Sequence, residues 1–293
     1  MRYGVYVPNF GPYGDAQVLA GLAEEAEEAG WDGFFLWDQV SKSTLTPTVD
    51  AMVDPWVALT AIALRTRTMR LGPLVTPLPR RRPWVVARET VSLDHLSDGR
   101  LILGVGSGGG YFDFEALGEI SDPSGLAGLL DESLEVLMGL WSGEPYRHEG
   151  AAYRIKEAQF LPRPLQWPRI PIWVADIWPA KSPLRRAARF DGVIPIGRDL
   201  PLVGMLTPAE MQEIAGYVAA QPGYAHPFEF VHMGVTAGVN AVHDREVVDA
   251  YRRAGATWWV EKILPELWGN WTNWPLDAMR ARIREGPPGD LHR

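Results

Sequence analysis

The stretch RLILGVGSGGG, residues 100–110, carries Gly104, Gly106 and Gly109 at the G-x-G-x-x-G spacing of a dinucleotide-binding turn. Such a turn cradles a pyrophosphate only where it follows the first strand of a βαβ unit, opens a helix directly, and meets an acidic ribose ligand about 20 residues later. Here the apolar run 100–106 is the fourth of its kind in the chain, and the residues after it, YFDFEALGEISDPSG, read as a loop. The glycines therefore belong to an architecture in which strand and helix have already alternated three times.

On the N-terminal side, RYGVYV (2–7) reads as a buried strand. DAQVLAGLAEEAEEAG (15–30) reads as a helix capped by Asp15, with an apolar stripe through Val18, Leu19, Leu22, Ala26 and Ala29 and Gly30 past its end. The pair recurs as GFFLW (33–37) before DPWVALTAIALRT (54–66), where Asp54 caps and Pro55 takes the first helical position. It recurs again as RLGPLVT (70–76) before PWVVARETVSLDHLSDG (83–99), which stops at an Asp-Gly turn. On the C-terminal side come the helix 123–141 and a hairpin-like excursion within 142–169. Strands at 170–175, 191–196, 228–238 and 256–263 then alternate with four helices. The first of these opens at Ser182 and Pro183, the second on Thr207, Pro208 and Glu210 in capping-box spacing, and the others cover 244–255 and 275–285. Eight strand–helix pairs predict a (β/α)8 TIM barrel of class α/β, with a short insertion between helix 4 and strand 5, as one domain over 1–293.

Composition narrows the partners. The formal net charge is −8 and no lysine-rich run or basic helix face occurs, so the footprint of a nucleic-acid binder is missing and a small organic molecule is the expected partner. The chain has no cysteine, which removes disulfides, thiolate metal sites and a cysteine nucleophile together. Its histidines are His95, His148, His226, His232, His243 and His292; only His232 falls in a strand, so no metal site is expected. No G-x-S-x-G, H-E-x-x-H or P-loop is present. No apolar run approaches the ~20 residues of a membrane span, and MRYGVYVPNFGPYGD lacks the apolar stretch of a secretory signal. The expectation is a cytoplasmic protein with no membrane partner.

In this fold the chemistry lies at the C-terminal ends of the strands, here Asn9, Asp38, Gln39, Thr76, Ser107, Asp176, Arg198, Thr236 and Glu261. The glycines ending strand four let a planar ligand approach the backbone closely. The helix start AKSPLRR, with Ser182 as cap and Lys181, Arg185 and Arg186 nearby, suits a phosphate; it reads equally as an ordinary capped helix with a solvated basic face. Tryptophans crowd the same end: Trp37, Trp178, Trp258 and Trp259, with Trp268, Trp271 and Trp274 downstream. Those near the C-terminus are read as core or subunit contacts, and a homodimer is the expectation.

At WDQV (37–40), LGPLVTPLPRRRP (71–83), LDHLSDGRLILGVGSGG (93–109), LPRPLQWPRIPIWVA (161–175) and LRRAARFDGVIP (184–195), the sequence resembles the luciferase-like family of flavin-dependent oxidoreductases. The match runs in order from residue 1 to about residue 286. The resemblance implies a barrel holding FMN or the deazaflavin coenzyme F420, acting as a monooxygenase with O2 as second substrate or as a hydride-transferring reductase or dehydrogenase. It implies a non-prolyl cis peptide at Leu74 and Val75, backing the central ring of the flavin, with Asn9 and Thr76 among the cofactor's neighbours. Gly106, Ser107, Gly108 and Gly109 would line its flank, and Ala175, Asp176, Lys181 and Ser182 would approach its phosphate.

Two family positions differ. Sugar-phosphate dehydrogenases that use the deazaflavin carry a histidine after the strand-two aspartate and a glutamate in the strand-four loop; this chain has Gln39 and Gly109. Bacterial luciferase has a histidine where this chain has Asp38. Asp38 and Gln39 are thus the expected catalytic positions, with Asp38 handling protons or, alternatively, paired with an arginine such as Arg81. Arg80, Arg81 and Arg82 are candidates for the acidic tail of F420. Two competing readings are a flavin-binding protein with little catalysis, and a barrel hydrolase or lyase whose glycines are structural.

Overall fold

The computed structural model describes residues 1–288 apart from 42, 44, 47, 48, 226, 237 and 239. The Asp176 side chain, expected beside a phosphate, also lies outside the described residues. The strands are β1 (Arg2–Val7), β2 (Gly33–Leu36), β3 (Arg70–Pro73), β4 (Thr76–Pro77), β5 (Leu103–Gly106), β6 (Tyr146–Glu149), β7 (Arg154–Ala158), β8 (Ile172–Trp178), β9 (Gly192–Gly197), β10 (Glu229–Gly234) and β11 (Trp258–Lys262). β6 and β7 form the antiparallel hairpin expected in the insertion. The others pair in parallel in the order β3-β2-β1-β11-β10-β9-β8-β5-β4.

β3 and β4 are two halves of one barrel strand. β3 bonds to β2, β4 bonds to β5, and Leu71 bridges Leu101, so the ring closes across the interruption at Leu74 and Val75. The Leu74–Val75 peptide is cis, at the position the family resemblance indicated. A Cβ on Gly104 would lie 2.3 Å from the Pro73 carbonyl oxygen and 2.7 Å from the Leu74 side chain. Gly104 is therefore a close-approach residue of the closing seam, not part of a pyrophosphate turn.

The helices are α1 (Ala16–Glu28), α2 (Pro55–Arg65), α3 (Pro83–Leu96), α4 (Pro123–Trp141), α5 (Lys181–Ala187), α6 (Pro208–Ala219), α7 (Ala241–Arg253) and α8 (Leu276–Arg284). Side-chain caps start several where the sequence places them. Asp15 accepts from the Gln17 and Val18 amides, Asp54 from Trp56 and Val57, and Thr207 with Glu210 forms a reciprocal capping box. Two starts differ. α5 begins at Lys181 after Ala180, so Ser182 is not its cap. α7 begins earlier than expected, at Ala241, because the Asn240 side chain accepts from Val242 and His243. The seventh barrel strand also ends sooner, at Gly234.

Period-two alternation divides the strands between two cores. Val5, Val7, Phe34, Leu36, Val105, Val174 and Trp259 face the helices, which bring in residues such as Leu19, Leu22 and Leu59. Phe35, Ile102, Trp173, Ile194, Val231, Trp258 and Val260 fill the lumen. Trp173 and Trp258 meet edge to face at 5.2 Å, with Phe35 at 5.6 and 5.7 Å from them, forming an aromatic plug. No described helix is long and apolar enough to cross a membrane.

Candidate functional site

Above that plug, at the C-terminal ends of the strands, two cavities share a wall. One, of about 210 Å³, lies beside β2 and the β3–β4 interruption and is lined by Tyr6, Trp37, Asp38, Gln39, Leu74, Val75 and Asp113. The other, of about 230 Å³, lies under the ends of β9, β10 and β11 and includes Pro195, Leu200, Leu206, Met233 and Lys262. Tyr6 and Trp37 line both, stacked at 5.6 Å with 26° between their planes. Burial raises the Tyr6 pKa well above the ordinary phenol value, so the hydroxyl stays protonated.

Asp38 is held on every side. Thr76 Oγ1 donates to Oδ2 at 2.8 Å; Arg80 donates to Oδ1 at 2.7 Å and to the Asp38 carbonyl at 2.9 Å. Arg81 donates to both carboxylate oxygens, at 3.1 and 2.9 Å. Both oxygens being engaged by cations and a hydroxyl, the geometry is that of the arginine-paired alternative and not of a free proton carrier. Arg80 and Arg81 are correspondingly turned inward, and Arg80 adds an ion pair to Asp113 at 3.3 Å. Neither is free to reach an acidic cofactor tail as expected.

Asn9, expected near the cofactor, is a strut. It is fully buried, its Nδ2 donates to the carbonyls of Gln39 and Val53 at 2.8 Å each, and its Oδ1 accepts from the Gln39 amide at 3.3 Å. These bonds use its whole amide and tie the ends of β1 and β2 to the start of α2. Gln39 and Trp37 are different. Gln39 Oε1 and Trp37 Nε1 are both buried, and neither has a hydrogen-bond partner among the described residues. The residues that carry these two atoms line the smaller cavity together with Leu74 and Val75.

The glycine segment after β5 runs along the rim. Gly108, Gly109 and Gly110 all have positive φ (69°, 136° and 95°), a path open to glycine at little cost. Gly106 sits under Val75 and beside Ala175, which brings the β3–β4 interruption, β5 and β8 together at one point; Ser107 follows, half-buried. Lys181 leaves this group: its Nζ packs over the Trp178 and Tyr217 rings at 4.2 and 4.6 Å and pairs with Glu213 at 3.1 Å. Ser182 is exposed.

Glu261, named as a strand end, points the other way. It is fully buried on the helix side, accepting from Thr236, Trp259 and, at 3.5 Å, facing Arg282. Its neighbour Lys262 is the residue that enters the mouth, and sequence reasoning missed it. The signal was available: in WWVEK, inward Trp258 and Val260 predict an inward position 262. Trp271 and Trp274, read as core or subunit contacts, pack on the chain's own Phe10 at 5.7 and 5.8 Å, and Trp271 lies 6.1 Å from Trp37. The expected homodimer loses that support.

A family model described as luciferase-like monooxygenase matches residues 1–254. The chain is 34% identical over 202 residues to the F420-dependent glucose-6-phosphate dehydrogenase of Nakamurella multipartita, covering 66% of this chain and 54% of that one. It is 31% identical over 208 residues to the 4-hydroxyprotoasukamycin monooxygenase of Streptomyces nodosus subsp. asukaensis, covering 69% and 53%. The matched region thus spans about half the length of these two curated relatives. A solved structure of an F420-dependent secondary alcohol dehydrogenase, in complex with an F420–acetone adduct, superposes with a TM-score of 0.75 at 14% identity, covering 89% of this chain and 93% of that one. That likeness supports the barrel.

Proposed function

The chain belongs to the luciferase-like monooxygenase family, and on that premise we propose that it is a flavin-dependent oxidoreductase binding FMN or coenzyme F420 at the mouth of the barrel. One observation carries the reading. Beside the Leu74–Val75 peptide, a buried indole N–H and a buried amide oxygen stand without partners among the described residues, on two side chains that line the same cavity. Leaving such atoms unpaired costs about 1–3 kcal/mol each, so the site is built for a ligand that supplies both an acceptor and a donor. The pyrimidine edge of a flavin or deazaflavin does so, with carbonyl oxygens and a ring N–H, and its planar rings match Tyr6, Trp37 and the apolar face of Leu74 and Val75. The residues present therefore fit the group.

When bound, the flavin supplies hydride transfer or oxygen chemistry that no side chain here provides. The chain's own part is placement and exclusion. Trp37 and Gln39 fix the ring edge, Gly106, Ser107, Gly108 and Gly109 offer backbone at its flank, and Thr76, Arg80 and Arg81 hold Asp38 as a rigid part of the wall. Phe10, Trp271 and Trp274 keep water from the side of the mouth away from β5. A small organic substrate takes the adjoining cavity, with O2 as second substrate if the reaction is an oxygenation.

The test is a tryptophan-fluorescence titration of the purified chain with FMN and, separately, with oxidised F420. Saturable binding of one is the expected result. It decides between oxygenation and deazaflavin hydride transfer; binding of neither overturns the reading.

A further inference from the structure

Lys262 ends β11 on the lumen side, in register with Tyr6 of β1, and is 6% exposed. Its Nζ donates to the carbonyls of Leu202 at 2.7 Å and Gly204 at 2.6 Å, on the loop between β9 and α6. An ammonium has three donors, so one remains without an acceptor among the described residues. The larger cavity it lines is otherwise mainly apolar, walled by Pro195, Leu200, Leu206, Met233 and Leu264.

Few polar groups compete for that donor. Glu261 is bonded on the helix side, and Glu266 accepts from the Trp271 indole at 2.8 Å. Tyr6 faces Lys262 from β1, and His232 lies on β10 with its buried Nε2 lacking a partner among the described residues. Burial and the nearby lysine charge hold the His232 pKa down at about 3, so the imidazole is neutral. Burial also lowers Lys262, with Glu261 and Glu266 opposing, to about 8; the lysine is the cation of the cavity at neutral pH.

We propose that this cavity takes a small, largely apolar substrate bearing one anionic oxygen, whether carboxylate, phenolate or enolate. The oxygen accepts the remaining N–H of Lys262, and the body packs on leucine, proline and methionine. A sugar phosphate is disfavoured here, because its hydroxyls would lie against hydrocarbon and its dianion would meet a single free donor. The proposal deepens the flavin reading by naming its substrate class, and rests on that reading only for the chemistry after binding.

The test is calorimetric titration of the full chain with 4-ethylbenzoate and with the neutral isostere 4-ethylbenzamide. FMN and F420 are titrated into the same preparation. The acid should bind tighter than the amide by roughly tenfold to hundredfold, the worth of one charge-assisted hydrogen bond. In Lys262→Met that preference should vanish, and in the unmodified chain acid binding should weaken as pH rises past about 8 while amide binding stays level. Equal affinities, binding of neither probe, a preference surviving in Lys262→Met, or an acid affinity flat with pH each overturn the proposal. The pH series decides if the variant does not fold. Acid preference without binding of either flavin would instead sink the flavin reading alone.

Discussion

Asp38 and Arg81 meet in a two-point ion pair, Nε to Oδ2 at 3.1 Å and Nη2 to Oδ1 at 2.9 Å, with the carboxylate inaccessible to solvent. Arg80 closes on the same carboxylate at 2.7 Å, so one anion is shared by two neighbouring guanidinium groups, with Asp113 facing Arg80 at 3.3 Å and Asp54 facing Arg81 at 3.7 Å. That arrangement makes Asp38 a structural keystone.

Asp38→Asn removes the anion and leaves Arg80 and Arg81 buried side by side. Breaking a buried pair from one side costs about 3–5 kcal/mol. Urea denaturation should show a loss of that size, whereas a change confined to turnover would mark Asp38 as a proton carrier after all.

Gln39→Leu removes an unpartnered buried oxygen, so it should leave stability unchanged or raise it by about 1 kcal/mol. Flavin affinity should fall roughly fivefold, the worth of one hydrogen bond of about 1 kcal/mol. Measuring both on one preparation separates a ligand-facing amide from a structural one, which would lose stability.

Gly108 has φ of 69°, and a Cβ there would lie 2.5 Å from Phe114 and 2.6 Å from Pro77. Gly110 has φ of 95° with nothing within 4 Å of such a Cβ. Gly108→Ala should therefore cost about 2–3 kcal/mol by combining backbone strain with overpacking, and Gly110→Ala about 1 kcal/mol from strain alone. Thermal melts of the two variants rank them.

Glu25 joins α1 to α8 through Arg280 and Arg284, with Nε donors at 2.8 and 2.9 Å. The Arg280 hydrogen bond leads the interactions that lower its pKa from 4.5 to about 2. The folded state therefore binds fewer protons than the unfolded one in that window, and the stability present above pH 4.5 is lost as pH falls to about 2. The arginines being half exposed, Glu25→Gln should cost about 1–2 kcal/mol at neutral pH and flatten that acid limb in equilibrium unfolding.

His232, stacked on Tyr251 at 3.8 Å, acts in a different window. Its pKa drops from 6.5 to about 3 on folding, mainly through burial, so protons bind the unfolded chain first and stability falls as pH falls through that range. His232→Phe, which keeps the stack, should lessen the loss between these pH values by a few kcal/mol, visible as a shallower slope of unfolding free energy against pH.

Helix starts at Asp15, Asp54 and Thr207 are local chemistry, decided within a turn of the cap, and they were legible in the sequence. So were the strands, whose apolar runs are bounded by turns. The Asp38 cluster was legible only as an alternative, because Thr76, Arg80 and Arg81 lie some forty positions away along the chain and meet Asp38 only once β2 and β3 pair. Lys262 was hidden by its neighbour: two adjacent charges end β11, and which one faces the lumen depends on strand parity fixed by Trp258 and Val260. Asn240 is hard to see as a cap because the apolar residues before it, MGVTAGV (233–239), prolong the strand pattern, and Asp244 offers a second cap-type residue four positions later.

The register of β1 against β11, with Tyr6 opposite Lys262, also governs how the molecule is made. One edge of β1 has no partner until β11 has been synthesised, so that edge stays unpaired while the roughly 250 residues between them are made. Both cavities use Tyr6 as wall, and the larger one also uses Lys262. Binding in the larger cavity therefore waits on the pairing of β1 with β11, and its recovery after denaturation is a clock for ring closure, a slow long-range event.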